Sequence, residues 1–262
     1  MLAGVYTIIK KDGSISYRSS ITFRNKHISL GSFPDEATAH HAYTEAQRIL
    51  SDNSVTLESY LTETCALPFE KWVVLLNYRD NGMYIKTPIY MKHRYFIYYL
   101  NRKLPLKFDV DDLFYYSHHK IMQRGGHLFV SDYGMQVTIL SRYGIKNFAV
   151  PGKDYRFANG DNTDYRYGNI EIINRFHGVT KTLKKGFPVF TTKIHINGDF
   201  LIGRYPDDVT AAIAYNKAAD LLKKKGITKN YPVNYIVEID EIEYASIYNK
   251  VRISKKIRDY EI

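Results

Sequence analysis

The chain has 262 residues, more than one typical domain needs, and 45% of them are hydrophobic, which allows real cores and excludes wholesale disorder. Lys and Arg total 37 against 27 acids, a net charge of +10, and 24 Tyr and 13 Phe accompany them, a balance suited to phosphate-bearing partners. No run reaches the roughly 18–20 apolar residues of a membrane span, the start lacks a signal-peptide pattern, and the single Cys65 allows neither an internal disulfide nor a cysteine-based zinc site, so a cytoplasmic protein is expected.

Residues 1–53 contain "GVYTIIKKDGSISYRSSITFRNKHISLGSFPDEATAHHAYTEAQRIL". Tyr17, Ser19 and Ile21 alternate with Arg18, Ser20 and Thr22, the two-residue period of a half-buried strand with the first set inward. Pro34-Asp35-Glu36 reads as a helix start, and Ala39, Ala42, Tyr43 and Ala46 follow at helical spacing. The expected unit is a three-stranded antiparallel sheet with one face under a helix and the other free. Residues 54–68 read as a linker or a frayed helix end. Further on, "KWVVLLNYRDNGMYIKTPIYMKHRYFIYYL" suggests strands and "DVDDLFYYSHHKIM" a short helix with Asp109 near its cap. "HLFVSDYGMQVTILSRYGI" reads as a hairpin around Tyr133-Gly134. His118, His119 and His127 invite a metal reading, but adjacent residues of a helix diverge by about 100°.

"FANGDNTDYRYGNIEIIN", Phe157 to Asn174, is dense in turn formers: Gly160 supplies backbone freedom, and Asn and Asp side chains bond nearby backbone. Four residues later a second copy of the first pattern begins, "GVTKTLKKGFPVFTTKIHINGDFLIGRYPDDVTAAIAYNKAADLL". From Gly31/Gly203 to Ala46/Ala218 the copies align without a gap at an offset of 172. Phe190, Thr192 and Ile194 are expected inward, with Thr191, Lys193 and His195 outward. Residues 178–236 carry a net charge of +6 and residues 4–53 a net +1, so the second copy is expected to make more of the phosphate contacts. The last stretch, "NYIVEIDEIEYASIYNKVRISKKIRDYEI", suggests a terminal helix packed on its own domain or on a second copy of the chain. The expected class is α+β: two three-stranded antiparallel sheet-plus-helix domains at 1–53 and 177–236, a linker at 54–68, a middle domain at 69–176 and a helical tail at 237–262.

An uncovered, polar, basic sheet face must meet water or a partner, and such a surface fits the major groove. Two linked modules raise affinity through effective concentration. The segments "GV…YRSSI…ISLGSF…AYTEA" and "GV…FTTKI…LIGRY…AAIAYNKAA" resemble the apetala/ethylene-response-factor-type DNA-binding domain. The resemblance implies a sheet that reads the major groove, and it implies contact sites at Tyr6, Arg18, Ser20, Thr22, His27 and Ser29. In the second copy it implies His177, Thr180, Thr191, Lys193, His195 and Leu201, and the basic residues Lys10, Arg24 and Lys181 are expected to contact DNA beside them. The plant domains place more Arg and Trp at these positions.

"RFANGDNTDYRYGNI" resembles the HNH nuclease pattern D-H-x-N-G-D-x-x-D-N-R-x-x-N-L of the ββα-metal fold, as found in homing endonucleases of mobile elements. Asn159, Gly160, Asp161, Asp164, Arg166, Asn169 and Ile170 stand in register. Where the family has its D-H pair this chain has Arg156-Phe157, and phenylalanine cannot take a proton from water while a cation repels a divalent metal. Tyr165 replaces the family's Asn. The resemblance therefore implies a degenerate, catalytically inactive HNH-like frame in which Arg156, Arg166 and Arg175 suit phosphate contact. The expected function is sequence-specific binding of double-stranded DNA by a transcriptional regulator of bacterial, phage or mobile-element origin, without cofactor or metal and without a membrane. A homodimer partner or a small regulatory partner stays open. The rival expectations are an active, divergent HNH homing endonuclease and an architectural or RNA-binding protein.

Overall fold

The computed structural model describes residues 2–61 and 64–261. It is an α+β chain of several small antiparallel sheets and short helices, divided into two compact units: residues 1–139 with 161–169, and residues 140–160 with 170–262. Residues of the expected middle domain, 69–176, contribute to both units. Among the described residues no helix is long and apolar enough to cross a membrane.

In the first unit, β1 (Val5–Ile9), β2 (Ile15–Phe23) and β3 (Lys26–Phe33) form an antiparallel sheet in that order, and α1 (Glu36–Ser51) packs on one face. Asp35 caps the helix by accepting from the Thr38 N–H at 2.7 Å, which satisfies one orphan donor of the first turn. Ile21, Ile28 and Leu30 bury against Ala42, Ala46 and Ile49, whose small methyls let helix and sheet approach closely. Residues of the 54–68 stretch join this core: Val55, Tyr60 and Leu67 are buried in it, so the described part is packed chain rather than free linker. Thr62 and Glu63 of that stretch lie outside the described residues.

The next element corrects the sequence expectation. Residues 71–81, expected as strand, belong to the helix α2 (Phe69–Asn81). Every side chain from Trp72 to Arg79 is buried, so the stretch has neither a two-residue nor a 3.6-residue period to betray its form. Gly82, left-handed at φ 70°, ends it, and its N–H returns to the Tyr78 carbonyl. The remainder does form strands: β4 (Ile89–Met91), β5 (Tyr95–Asn101) and β6 (Leu104–Asp109) make a second antiparallel sheet. A short helix follows as expected, α3 (Leu113–His118), entered through a 3-10 turn at Val110–Asp112 whose N-cap residue is Asp109; the Asp109 side chain makes no cap hydrogen bond there and accepts from the Tyr167 N–H at 2.7 Å. β7 (Ile121–Arg124), β8 (His127–Asp132) and β9 (Met135–Thr138) complete a meander, with the expected turn at Tyr133-Gly134, both at positive φ. Asp161–Asn169 docks on β6. The Lys107 N–H donates to the Thr163 carbonyl, the Tyr165 N–H donates to the Lys107 carbonyl, and the Tyr165 ring stacks on Phe108 at 5.5 Å.

In the second unit, β10 (Tyr155–Phe157) pairs with β11 (Ile170–Ile172). Only a bend and a turn separate β11 from the next strand, so no helix follows it where the expected ββα unit would need one. β12 (Val179–Lys184), β13 (Phe187–His195) and β14 (Asp199–Tyr205) form the sheet of the second repeat, covered by α4 (Asp208–Lys224). The tail forms two short helices, α5 (Glu241–Lys250) and α6 (Lys255–Arg258), which pack on α4 and share its core through Val251, Ile253 and Ile257.

The two repeats coincide in detail. Each central strand carries a β-bulge at the same step, Ser19/Ser20 and Thr192/Lys193. The residue after each bulge donates its N–H to the glycine that starts the repeat, Ser20 to Gly4 at 3.0 Å and Lys193 to Gly178 at 2.8 Å. Gly4 and Gly178 are left-handed at φ 73° and 74°, and a Cβ on either would overlap the helix tyrosine, Tyr43 or Tyr215. Asp207 caps α4 through Thr210 as Asp35 caps α1 through Thr38.

Candidate nucleic-acid interface

Antiparallel register fixes which side chains share the sheet face turned away from each helix. In the first repeat three rows cross it: Tyr6–Arg18–Ser32, then Ser20–Ser29, then Thr22–His27. The second repeat places Thr180–Thr191–Arg204, Lys193–Leu201 and His195–Asp199 in the same rows. Most of the sequence-predicted contact residues are thus brought onto two equivalent faces.

Five of them present no side chain on those faces. Ser20 occupies the place of Lys193, but its short side chain is buried and its hydroxyl has no partner among the described residues, so it cannot reach outward. Arg24 lies in the β2–β3 turn and donates to the Tyr78 carbonyl near the end of α2, with its guanidinium over the Phe23 ring. Lys181 alternates onto the helix side with Val179, and Lys10 lies just past the end of β1. His177, half-buried before β12, holds its ring edge-on between Phe148 and Tyr215; burial pushes its imidazole below the usual histidine range.

Sequence reasoning missed three members of the face, Ser32, Asp199 and Arg204. Arg204 had a signal, since Gly203 and Tyr205 flank it and both turn toward the helix side by strand alternation. The charge is arranged differently in the two copies. The first places its cation on the central strand, at Arg18, beside Tyr6, which is 52% exposed. The second places Lys193 on the central strand and Arg204 on the third. None of these three cations is ion-paired among the described residues. His195 is tied to Asp199 at 2.9 Å, and that contact holds the Asp199 carboxyl below its usual range.

The second face also borders a cleft of about 540 Å3, walled by Phe148, Lys153, His177, Thr180, Thr191 and Lys193. Behind it Asn174 ties the Lys153–Asp154 segment to β12: its amide donates to the Lys153 carbonyl and the Asp154 carboxylate, while its oxygen accepts from the Lys181 N–H at 2.7 Å.

The three arginines expected to contact phosphate, Arg156, Arg166 and Arg175, are engaged by carboxylates. Arg156 pairs with Glu171 across β10 and β11, Arg166 grips Asp164 with two nitrogens, and Arg175 bridges Asp208 and Glu238. Asp164 is fully buried and satisfied by that bidentate pair, which raises the Arg166 pKa further. Asp161 is held down to about 2 by hydrogen bonds from Thr163 and then Lys107. The positions that depart from the nuclease pattern have packing partners: Tyr165 on Phe108, and Phe157 edge-on to Tyr155. Among the described residues no group of three or more His, Cys, Asp or Glu side chains could hold a metal ion. The chain matches no protein-family model, no curated protein and no solved structure.

Proposed function

We propose that this chain binds double-stranded DNA without cutting it, as a transcriptional regulator of bacterial, phage or mobile-element origin. The outer faces of the two sheet-plus-helix repeats read base edges in the major groove. The observation that carries this reading is the matched pair of faces, each uncovered by its helix and each presenting unpaired cations, Arg18 in one and Lys193 with Arg204 in the other. Two cations against one make the second repeat the stronger phosphate binder. The resemblance to the apetala/ethylene-response-factor type and to an HNH frame supports the same reading, the frame serving as inherited scaffold. Its arginines already hold carboxylates, so the phosphate contacts are assigned to the sheets.

Selection of bound genomic fragments, followed by competition binding, tests this. One preferred duplex is expected to survive raised salt and excess random DNA. Lys193→Ala with Arg204→Ala is expected to lower the salt slope of binding by about 2, and Arg18→Ala by about 1. Nicking of supercoiled DNA with Mg2+ that EDTA abolishes would overturn the reading in favour of a nuclease. Equal competition by RNA would overturn it in favour of an architectural or RNA-binding protein.

A further inference from the structure

The ribbon of β12 and β13 ends in Leu183-Lys184-Lys185-Gly186-Phe187. Lys184 pairs with Phe187, so Lys185 and Gly186 are the whole loop. They lie at φ 52° and 82°, the two positive values of a type I′ turn. Asn, Asp or Gly is the favoured first residue there; lysine costs backbone energy and puts a cation at the apex. Leu183 and Phe187 are each 73% exposed, and the exposed Pro188 stands opposite Leu183. Lys181, Lys184 and Lys185 surround them, and no acid occurs between Glu171 and Asp199.

The first repeat has the same device in other residues. Ile9 pairs with Ile15 at the position of Leu183 and Pro188, 74% and 55% exposed, with Lys10 and Lys11 in the adjoining loop. Large apolar side chains in water at a ribbon tip lose the burial free energy they would gain in a core. That loss recurs at one place in two repeats whose residues there differ. Strand alternation puts Lys184 and Phe187 on the same side as Thr180, Thr182 and Thr191, so the tip extends the outer face of the second sheet.

We propose that this tip is a wedge: on duplex DNA held by the second repeat, Phe187 enters between adjacent base pairs and unstacks them while Lys184 and Lys185 neutralise the neighbouring phosphates. Apolar side chains inserted in this way kink a duplex and allow more of it to touch the protein. The continuity of the tip with the cation-bearing sheet face favours DNA over an anionic lipid surface. The inference rests on the DNA-binding reading above.

The test uses the full chain and a duplex recovered by selection, with 2-aminopurine placed in turn at each step. Binding is expected to brighten the probe at one or two steps and to give a bend by circular-permutation electrophoresis. Phe187→Ser with Leu183→Ser is expected to abolish both signals and to weaken binding about tenfold. Its thermal unfolding stays unchanged, since both side chains lie in water. Lys193→Ala is expected to weaken binding while keeping the brightening in the bound state. Tight binding with no brightening, or brightening that survives the serine variant, overturns the wedge and leaves DNA binding intact. Recovery of no duplex overturns both. Sedimentation with phosphatidylserine vesicles that the serine variant abolishes, without any brightening on DNA, assigns the tip to lipid instead.

Discussion

Residue 45 on α1 and residue 217 on α4 occupy the same place in the two repeats, yet one is Glu and the other Lys. Glu45 is buried and accepts from the Ala66 and Leu67 N–H groups at 2.8 and 3.0 Å and from the Trp72 indole at 2.5 Å. Ala66 and Leu67 lie just ahead of α2 and Trp72 lies near its start, so the carboxylate sits by the electropositive end of that helix while it satisfies two loop N–H groups and the indole. Lys217 donates to the carbonyls of Tyr248, Asn249 and Val251, at the electronegative end of α5. The bulge, the starting glycine and the helix cap were retained in both copies, while the residue that anchors the following helix took the sign that helix end requires. The repeats diverged in what they carry, and the sheets stayed alike.

This contrast predicts unequal costs. Glu45→Ala leaves three donors without an acceptor and is expected to destabilise the chain by about 3 kcal/mol in urea unfolding, with Glu45→Lys worse. Lys217, only half-buried, is expected to lose about 1–2 kcal/mol as Ala and more as Glu. If Lys217→Glu proves neutral, the dipole account of the pair is wrong. The caps sharpen the other side of the comparison. Asp35→Ala and Asp207→Ala are each expected to cost about 1 kcal/mol, equal within a few tenths, because their geometry is the same.

The smallest effect separates the copies by pH. His177 stands where the first repeat has Ala3, and burial depresses its pKa. The unfolded chain therefore takes up the proton first. Stability from this group is full above about pH 6.5 and falls as pH drops from there through the lower folded value. His177→Phe is expected to flatten this decline in thermal unfolding of the second unit; a decline left unchanged would place its origin elsewhere.

Much of the repeat is legible in the sequence because its determinants are local. Asp before Thr at cap spacing, alanines at helical spacing, and glycine followed by valine each act within a few residues. The strand phase is legible on both sides of the bulge, with Ile21 inward and Thr22 outward as expected, and the exception is Ser20, which is buried beside the bulge. α2 was not legible, because burial on all sides erases the period that separates helix from strand. Arg175 looked like a free phosphate ligand because its partners, Asp208 and Glu238, lie far along the chain. The turn chemistry of Phe157–Asn174 was readable, with Gly160 at φ 77°. The docking of its central residues on Lys107 and Phe108 depends on a strand over fifty residues earlier.

That docking bears on how the chain matures. Because Asp161–Asn169 belongs to the first unit, a ribosome that has released only residues 1–139 has not yet supplied the strip that covers Lys107 and Phe108. Domains commonly fold in order as they emerge. Here the first unit completes only after residue 169, when the opening strand of the second is already made. A nascent chain arrested before that point would leave the β6 edge unpaired and uncover the face of Phe108 on which Tyr165 stacks, and a chaperone that recognises exposed strands and aromatic rings would find its ligand there.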